Sequence, residues 1–251
     1  MLFEHPLNER TRTLLRLSRL FRQLDRHQKA EDPWQTRAAV QALVDILAIL
    51  TRADIKTELI KQLDQHATTL QQVALNPDVD QARLQRVLED LARIGDRLHA
   101  LTGQLGQRLR KDDFLNGVAQ RLAIPGGSFE FDLPLFHHWL HRPAEERAAQ
   151  LHLWRGELVL VEEAVELLLG LLRHASLFRQ QLARDGLYQK SLDPQKPVEM
   201  IQVKLDPALG VYPEISGSKH RICIRFLKAD LDHPGESCHR DLSFAFKACV
   251  L

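Results

Sequence analysis

The strongest constraint on the fold is a change in the spacing of the apolar residues at Asp185-Gly186. Before this dipeptide, from Asn8 to about Arg184, apolar residues recur every three or four positions, which is the spacing of amphipathic helices. After it, apolar and polar residues alternate, which is the spacing of half-buried strands. The alternating segments are Met200–Leu205, His220–Phe226 and Leu242–Phe246. The sequence therefore predicts an α+β fold, with an N-terminal helical bundle domain at residues 1–184 and a small C-terminal antiparallel β-sheet domain at residues 185–251.

Turn residues separate the predicted strands. Asp193-Pro194, Asp206-Pro207 and His233-Pro234-Gly235 stand between the strands at spacings typical of hairpins. Segments of helical spacing do not occur between them, so a parallel sheet with helical crossovers is excluded. We expect consecutive strands to pair antiparallel.

The composition is that of an ordinary globular protein. Hydrophobic residues make up 44% of the 251 residues and charged residues 27%, which is far from the composition of disordered chains. The formal net charge is only +1, so any binding of nucleic acid or acidic lipid has to depend on local basic clusters.

The cysteines and the apolar segments indicate the cellular compartment of the protein. Cys223, Cys238 and Cys249 are odd in number and lack CxxC spacing, so they predict neither a disulfide framework nor a zinc site. Met1–Pro6 lacks the features of a signal peptide, and the longest apolar segment, Leu158–Leu172, is interrupted by three glutamates. We expect a cytoplasmic protein that does not insert into membranes.

A basic stripe is predicted on the first helix, which Asn8 can cap. At about 100° of rotation per residue, one arc of this helix is apolar and the opposite arc is basic. The basic arc consists of Arg12, Arg16, Arg19 and Arg26. Glu4, Glu9 and Asp25 are the only acidic residues in the first 30 positions, so these guanidinium groups have few counter-charges nearby. The stripe is either an ordinary solvated helix face or a surface for an anionic partner.

A second basic cluster lies on a predicted strand. Arg221, Cys223 and Arg225 alternate with apolar residues and therefore share one face. At the rise of a strand the two arginines are about 13 Å apart on one face, and such parallel guanidinium groups suit carboxylate ligands. The alternative is an ordinary exposed sheet face.

A third basic group is predicted at the start of the helix that ends near Leu122. It consists of Arg108, Arg110 and Lys111. The adjacent Asp112-Asp113 can neutralise these charges, so the group is a weaker candidate for binding than the other two.

The motifs that resemble catalytic sites do not predict an enzyme. His137 and His141 lie one helical turn apart, as zinc ligands can, but neither an HExxH pattern nor a third ligand accompanies them. Pro125–Ser128 lacks the GxxxxGK[ST] pattern of a phosphate loop. Cys238-His239 are adjacent and would point to opposite sides of a strand. We expect no catalytic activity, no metal and no cofactor.

Several segments of the chain match the pattern of one known family. They are Leu2–Glu9 with Arg12 and Arg16, Arg52–Asp64, Arg121–Gly127, Phe131–Pro134 with His137, Trp139, Leu140 and His141, and Tyr212–Gly217 with Lys219, Arg221, Ile224, Arg225 and Phe226. Taken together, these segments resemble the ZapD (YacF) family of bacterial division proteins. They occur in order along the whole chain, so the resemblance covers both predicted domains. Asp113 departs from the family pattern, in which a basic residue is common at this position.

The resemblance implies a cell division factor that binds FtsZ, the tubulin-like polymer of the division ring. Proteins of this family bind the acidic and apolar C-terminal tail of FtsZ. As dimers, they cross-link and bundle FtsZ filaments, which promotes Z-ring assembly and septation. The resemblance therefore implies a homodimer formed through the helical domain and located at the midcell division ring. The residues implied in tail binding are Arg12, Arg16, Arg221, Arg225 and His137, to which the same clusters add Lys219, Arg19, Arg110 and Lys111.

The arginines of the first helix and those of the predicted strand form one groove only if the two domains bring them together. We predict that they converge. The alternative function is a nucleic-acid-binding module, in which the basic stripe of the first helix lies along phosphates. The net charge of +1 and the aromatic content of 6% favour the peptide-binding function instead.

Overall fold

The N-terminal part of the chain is mainly helical and the C-terminal part forms antiparallel sheets, which confirms the predicted α+β fold. This computed structural model describes residues 1–29, 31–51, 54–74, 79–218 and 220–250. The chain divides into two compact units. The β unit comprises Met1–Leu15 and Leu169–Leu251, and the helical unit comprises Arg16–Leu168.

Several of the helices begin at a side-chain cap that the sequence supplies. In the described part of the chain they are α1 (Glu9–His27), α2 (Pro33–Leu50), α3 (Ile55–Val73), α4 (Gln81–Ala100), α5 (Gln107–Arg110), α6 (Asp113–Leu122), α7 (Pro134–Leu140), α8 (Ala144–Gly156) and α9 (Val159–His174). Asp32 caps α2 by accepting a hydrogen bond from the Trp34 backbone N–H at 3.0 Å. Among the described residues, none of these helices is long and apolar enough to cross a membrane.

The core of the helical unit contains the apolar arc of α1 and a cluster of aromatic rings. Leu17, Phe21 and Leu24 of α1 are buried, as the predicted arc requires. The aromatic rings in mutual contact are Phe114, Phe136, Trp139 and Trp154. Burial of this arc leaves the arginines of the same helix on its outer side.

The β unit contains two antiparallel sheets that share one apolar core. Its described strands are β1 (Leu2–Pro6), β2 (Arg179–Ala183), β3 (Leu187–Ser191), β4 (Val198–Lys204), β5 (Val211–Gly217), β6 (Arg221–Lys228) and β7 (Leu242–Val250). The first sheet has the order β1-β4-β7-β2 and the second has the order β3-β6-β5. Phe226 of the second sheet and Phe244 of the first lie in the shared core with ring centroids 4.9 Å apart.

The Asp185-Gly186 turn carries the chain from the first sheet to the second. Both residues have positive φ, 48° and 70°, and Arg184 and Leu187 exchange backbone hydrogen bonds of 3.1 and 2.9 Å across the turn. Asp-Gly is a favoured sequence for such a two-residue hairpin. A Cβ atom on Gly186 would lie 1.9 Å from the backbone oxygen of Cys238, so only glycine fits here.

The outer face of the first sheet is covered by the start of α1 and the end of α9. Arg173 donates hydrogen bonds of 2.9 and 2.8 Å to the two carboxylate oxygens of Glu4. Gln202 donates to the same carboxylate at 2.7 Å. Asn8 caps α1 as predicted, because its side chain accepts from the Thr11 backbone N–H at 2.8 Å. These contacts fix the first turns of α1 on the sheet.

The strand arrangement differs from the prediction in two respects. β1 and β2 lie in the range predicted to be helical, and the division into units therefore differs from the predicted boundary between residues 184 and 185. Neither strand shows a clear alternation, since β2 buries only Ala183 and β1 has no fully buried residue. Consecutive pairing is correct for β5 and β6, but β4 pairs with β1 and β7. Alternation of apolar and polar residues shows which side chains of a strand face the core, but it does not show which strands pair with that strand.

Candidate partner-binding site

The arginines of α1 lie on its solvent side. Arg16, Arg19 and Arg26 are exposed, and the described residues provide no ion-pair partner for them. Arg12 is half-buried and forms an ion pair with Glu9, three residues before it. The stripe therefore presents several uncompensated guanidinium groups. Arg12 belongs to the β unit, and the other three arginines belong to the helical unit.

The outer face of the second sheet carries the predicted pair of arginines. Arg221 and Arg225 of β6 are exposed, and Cys223 lies half-buried between them. The intervening Ile222 and Ile224 are fully buried in the core of the β unit. The alternation in this segment therefore predicted its two faces correctly.

Glu214 is a member of this surface that the sequence did not identify. Residue pairing places it opposite Arg225, which donates an Nε–H hydrogen bond of 3.0 Å to Glu214 Oε2 and a second one from Nη2. This hydrogen bonding raises the pKa of Arg225. Because a guanidinium group has five N–H donors, Arg225 keeps others for a second acceptor. Only the strand register, which is a tertiary property, reveals this pair.

Arg221 has a neutral partner on the other neighbouring strand. Its Nη2 donates to the side-chain oxygen of Gln189 on β3. Gln189 also directs its amide nitrogen at the sulfur of Cys223, at 3.8 Å. The charge of Arg221 therefore has no carboxylate partner in the described part of the chain. Lys219, which was predicted beside it, lies outside the described residues.

Leu7, two residues before α1, packs against the end of β5 within the β unit. A Cβ atom on Gly217 would lie 2.5 Å from Cδ2 of Leu7, so the absence of a side chain permits this close contact. Arg12 follows Leu7 by little more than one helical turn. The pKa of His5 is lowered, first by burial and then by the positive charge of Arg12. Burial and the charge of Arg12 therefore both disfavour the protonated form of His5.

The third basic group does not open a long helix, as the sequence had suggested. Arg108 and Arg110 lie in α5, which has four residues, and Lys111 follows it as an exposed residue. Asp112 caps the next helix, α6, and this cap separates the two helices. Arg110 donates to Gln104 at 2.8 Å and lines a groove between α2 and α6. Arg110 therefore lines a groove, whereas its neighbour Lys111 is exposed to solvent.

His137 lines a pocket in the helical unit with a volume of about 600 Å³. Its ring lies 4.4 Å from the ring of His141, centroid to centroid. Aromatic walls are provided by Trp34 and Phe129, which are both exposed. The guanidinium of Arg37 stacks on Trp34 at 5.2 Å from the ring centroid. The pocket combines aromatic surface with a cation, and the sequence reasoning identified only its histidines.

The described residues include no group of three or more histidine, cysteine, aspartate or glutamate side chains arranged to hold a metal ion. His137 and His141 form a pair, and the Nδ1 of His141 is hydrogen-bonded to the backbone oxygen of His137 at 2.8 Å. The exposed arginines can bind carboxylates of a partner, and the aromatic pocket beside His137 can bind its apolar side chains.

Known proteins resemble the chain over nearly all of its length. The sequence model of the ZapD family, described as a cell division protein, matches residues 15–225. The cell division protein ZapD of Methylococcus capsulatus is 38% identical over 251 residues, which cover 100% of this chain and 98% of the relative. The protein of the same name from Ralstonia pickettii is 38% identical over 250 residues, 99% of each chain. That from Photobacterium profundum is 39% identical over 225 residues, 90% of each chain.

Proposed function

Because this chain belongs to the ZapD family of cell division proteins, we propose that it binds the C-terminal tail of FtsZ and, as a homodimer, cross-links FtsZ filaments. In this proposal it acts in the cytoplasm at the midcell division ring and catalyses no reaction. The tail is taken to be a flexible peptide with both acidic and apolar residues, so its receptor needs cations and apolar surface.

The observation that carries the proposal is the outer face of the second sheet. Arg221 and Arg225 project from the same side of β6 and are both exposed. They are four residues apart and therefore lie about 13 Å from each other along the strand, which matches two carboxylates four residues apart on an extended peptide. Arginine forks bind carboxylates through two parallel hydrogen bonds, which gives geometric specificity as well as attraction.

Glu214 sets the strength of this surface. Its ion pair with Arg225 is exposed, with 51% and 61% of the two side chains accessible. An exposed ion pair is weak and screened by salt. A carboxylate of the tail can therefore bind Arg225 beside Glu214 or displace Glu214 from it. We therefore expect one tail to bind modestly and with a strong dependence on ionic strength.

The helical unit, taken by itself, carries a second candidate surface for the tail. Arg16 and Arg19 lack ion-pair partners within the described ranges, so an anionic peptide gains their full attraction. The pocket beside His137 offers the aromatic walls of Trp34 and Phe129 to an apolar side chain of the tail. Modest binding at each site is amplified when a dimer engages two tails on neighbouring filaments.

Co-sedimentation with GTP-assembled FtsZ tests the proposal. We expect this protein to pellet with full-length FtsZ, to pellet much less with FtsZ that lacks its C-terminal tail, and to pellet less as the salt concentration rises. Arg221→Ala and Arg225→Ala should each reduce pelleting. Arg86→Ala, which removes an exposed arginine of α4, is the matched control and should leave pelleting unchanged.

Equal pelleting with tailless FtsZ would contradict the proposal. Wild-type protein and the double variant Arg16→Ala/Arg19→Ala, applied to a DNA duplex at low salt, test the nucleic-acid alternative, which predicts retention that falls in the double variant. We favour the peptide because the net charge of the chain is only +1 and its aromatic content only 6%.

A further inference from the structure

β3 is an edge strand, because it stands at the end of the order β3-β6-β5 in the second sheet. All of its residues except Tyr188 are exposed, and its sequence contains no acidic residue. The strand at the opposite edge, β5, is less accessible, since Val211 and Pro213 are buried. An exposed edge strand is a template on which a further extended chain can pair.

The backbone groups of β3 point alternately towards β6 and away from it, as in any antiparallel pair. Leu192, directly after β3, donates its backbone N–H to the carbonyl oxygen of His220 at 2.8 Å. Residues at even distances from Leu192 therefore direct their backbone groups at β6, whereas Gln189 and Ser191 direct theirs outward. These two outward N–H and two outward C=O groups form no hydrogen bond with another group of the described ranges.

Cations flank this edge on both faces of the sheet. On the outer face, Arg221 of β6 extends over β3, since its Nη2 donates to the side-chain oxygen of Gln189. On the inner face, the Lys190 ammonium lies 5.2 Å from the centroid of the Phe246 ring. Side chains of an added strand alternate between the same two faces. Acidic residues of that strand therefore meet a cation on either face.

The charge of this edge selects its occupant. Pairing between two copies of β3 is disfavoured, because it would bring the lysines and arginines of both copies together. An acidic chain gains attraction from the same side chains. Adjacent strands are about 4.8 Å apart, so the side chains of an added strand lie within reach of the guanidinium of Arg221. The edge therefore fits an extended acidic peptide.

We propose that the acidic tail bound by this protein adds to the second sheet as a fourth strand, paired with β3 through the outward backbone groups of Gln189 and Ser191. This inference rests on the proposed function, and it states how the tail is held. Backbone pairing supplies affinity, while Arg221 on the outer face selects a carboxylate. Leu187, which is 41% exposed and lies opposite Arg225, offers an apolar contact to the same strand.

A series of FtsZ tail peptides, each with one N-methylated backbone amide, tests the pairing in fluorescence anisotropy with the full-length chain. In a paired strand every second amide points at β3, so methylation there should weaken binding at least roughly 10-fold, whereas methylation of the intervening amides should have little effect. A uniform response along the peptide would overturn the inference and leave the proposed function intact. Failure of the unmodified peptide to bind would remove both.

Hydrogen exchange reads out the same pairing on the protein. When the unmodified peptide binds, the backbone amides of Gln189 and Ser191 should exchange at least roughly 10-fold more slowly, because they donate to the peptide. The amides of Ile215 and Gly217, on the opposite edge strand, are the control and should be unchanged. Unchanged exchange at Gln189 and Ser191, or protection confined to β5, would refute the proposal.

Two variants of β3 complete the test. Ser191→Pro removes one outward N–H but no hydrogen bond between β3 and β6, and it should weaken peptide binding about three- to tenfold. Lys190→Glu reverses the charge on the inner face and should weaken binding by a similar factor. Lys61→Glu makes the same charge change on an exposed residue of α3 and should bind as wild type does. Wild-type affinity in both β3 variants would contradict the pairing.

Discussion

Replacing Arg173 with methionine should destabilise the β unit by about 2 to 3 kcal/mol. Arg173 donates to both carboxylate oxygens of Glu4, at 2.9 and 2.8 Å, and the two side chains are only 23% and 20% exposed. Methionine keeps most of the packing but removes the guanidinium, while Gln202 still donates to Glu4. Breaking a fully buried ion pair costs about 3 to 5 kcal/mol, and partial exposure reduces that cost to the value given.

Backbone hydrogen exchange localises this effect. The amides of β1 and β4 should exchange roughly 30- to 150-fold faster in Arg173→Met, which is the factor that corresponds to 2 to 3 kcal/mol. The midpoint of thermal unfolding should fall by about 4 to 12 °C for a chain of this size. Arg93→Met is the control, since Arg93 pairs with Asp90 and Glu163 on an exposed surface and its loss should change neither quantity. A shift below about 0.5 kcal/mol, or an equal shift in the control, would refute the reasoning.

Three further predictions concern single side chains. Glu214→Gln should tighten binding of an FtsZ tail peptide by about two- to fivefold, because it removes an exposed competing carboxylate; weaker binding measured by anisotropy would contradict this. Burial raises the pKa of Cys249 to about 11, so at pH 8 only about one thiol in a thousand is ionised, and disulfide reagents should modify it far more slowly than in urea. Because the pKa of His5 is lowered in the folded state, the folded protein loses stability as the pH falls through about 6.5, the ordinary pKa of histidine. Arg12→Met should raise the pKa of His5 in an NMR titration and reduce this loss of stability. An unchanged pKa would exclude the contribution of Arg12.

Much of the fold follows from local patterns in the sequence. The change of period at Asp185-Gly186 coincides with the hairpin that joins the two sheets, because the same dipeptide supplies the positive φ angles that such a turn needs. The buried and exposed faces of β6 follow from its alternation. β1 was missed because a short strand at the N-terminus gains its place only from pairing with β4, about 200 residues later in the chain.

The candidate site was predicted less completely than the fold. Arg221 and Arg225 could be placed on one face from the sequence, since a strand fixes the direction of every second residue. Glu214 could not, because its position opposite Arg225 depends on the register of β5 against β6. Arg110 was grouped with its neighbours in sequence. In the structure, α5 ends at Arg110, Asp112 caps the next helix, and Arg110 lines the groove between α2 and α6.

The most direct test of the central claim is the affinity of the full-length chain for a labelled FtsZ tail peptide, measured by fluorescence anisotropy. The double variant Arg221→Ala/Arg225→Ala is compared with wild type and with Arg83→Ala/Arg86→Ala, which removes two exposed arginines from α4. The account predicts at least a roughly 10-fold loss of affinity for the first double variant and none for the second. Equal affinity in all three proteins would contradict the assignment of the sheet arginines to tail binding.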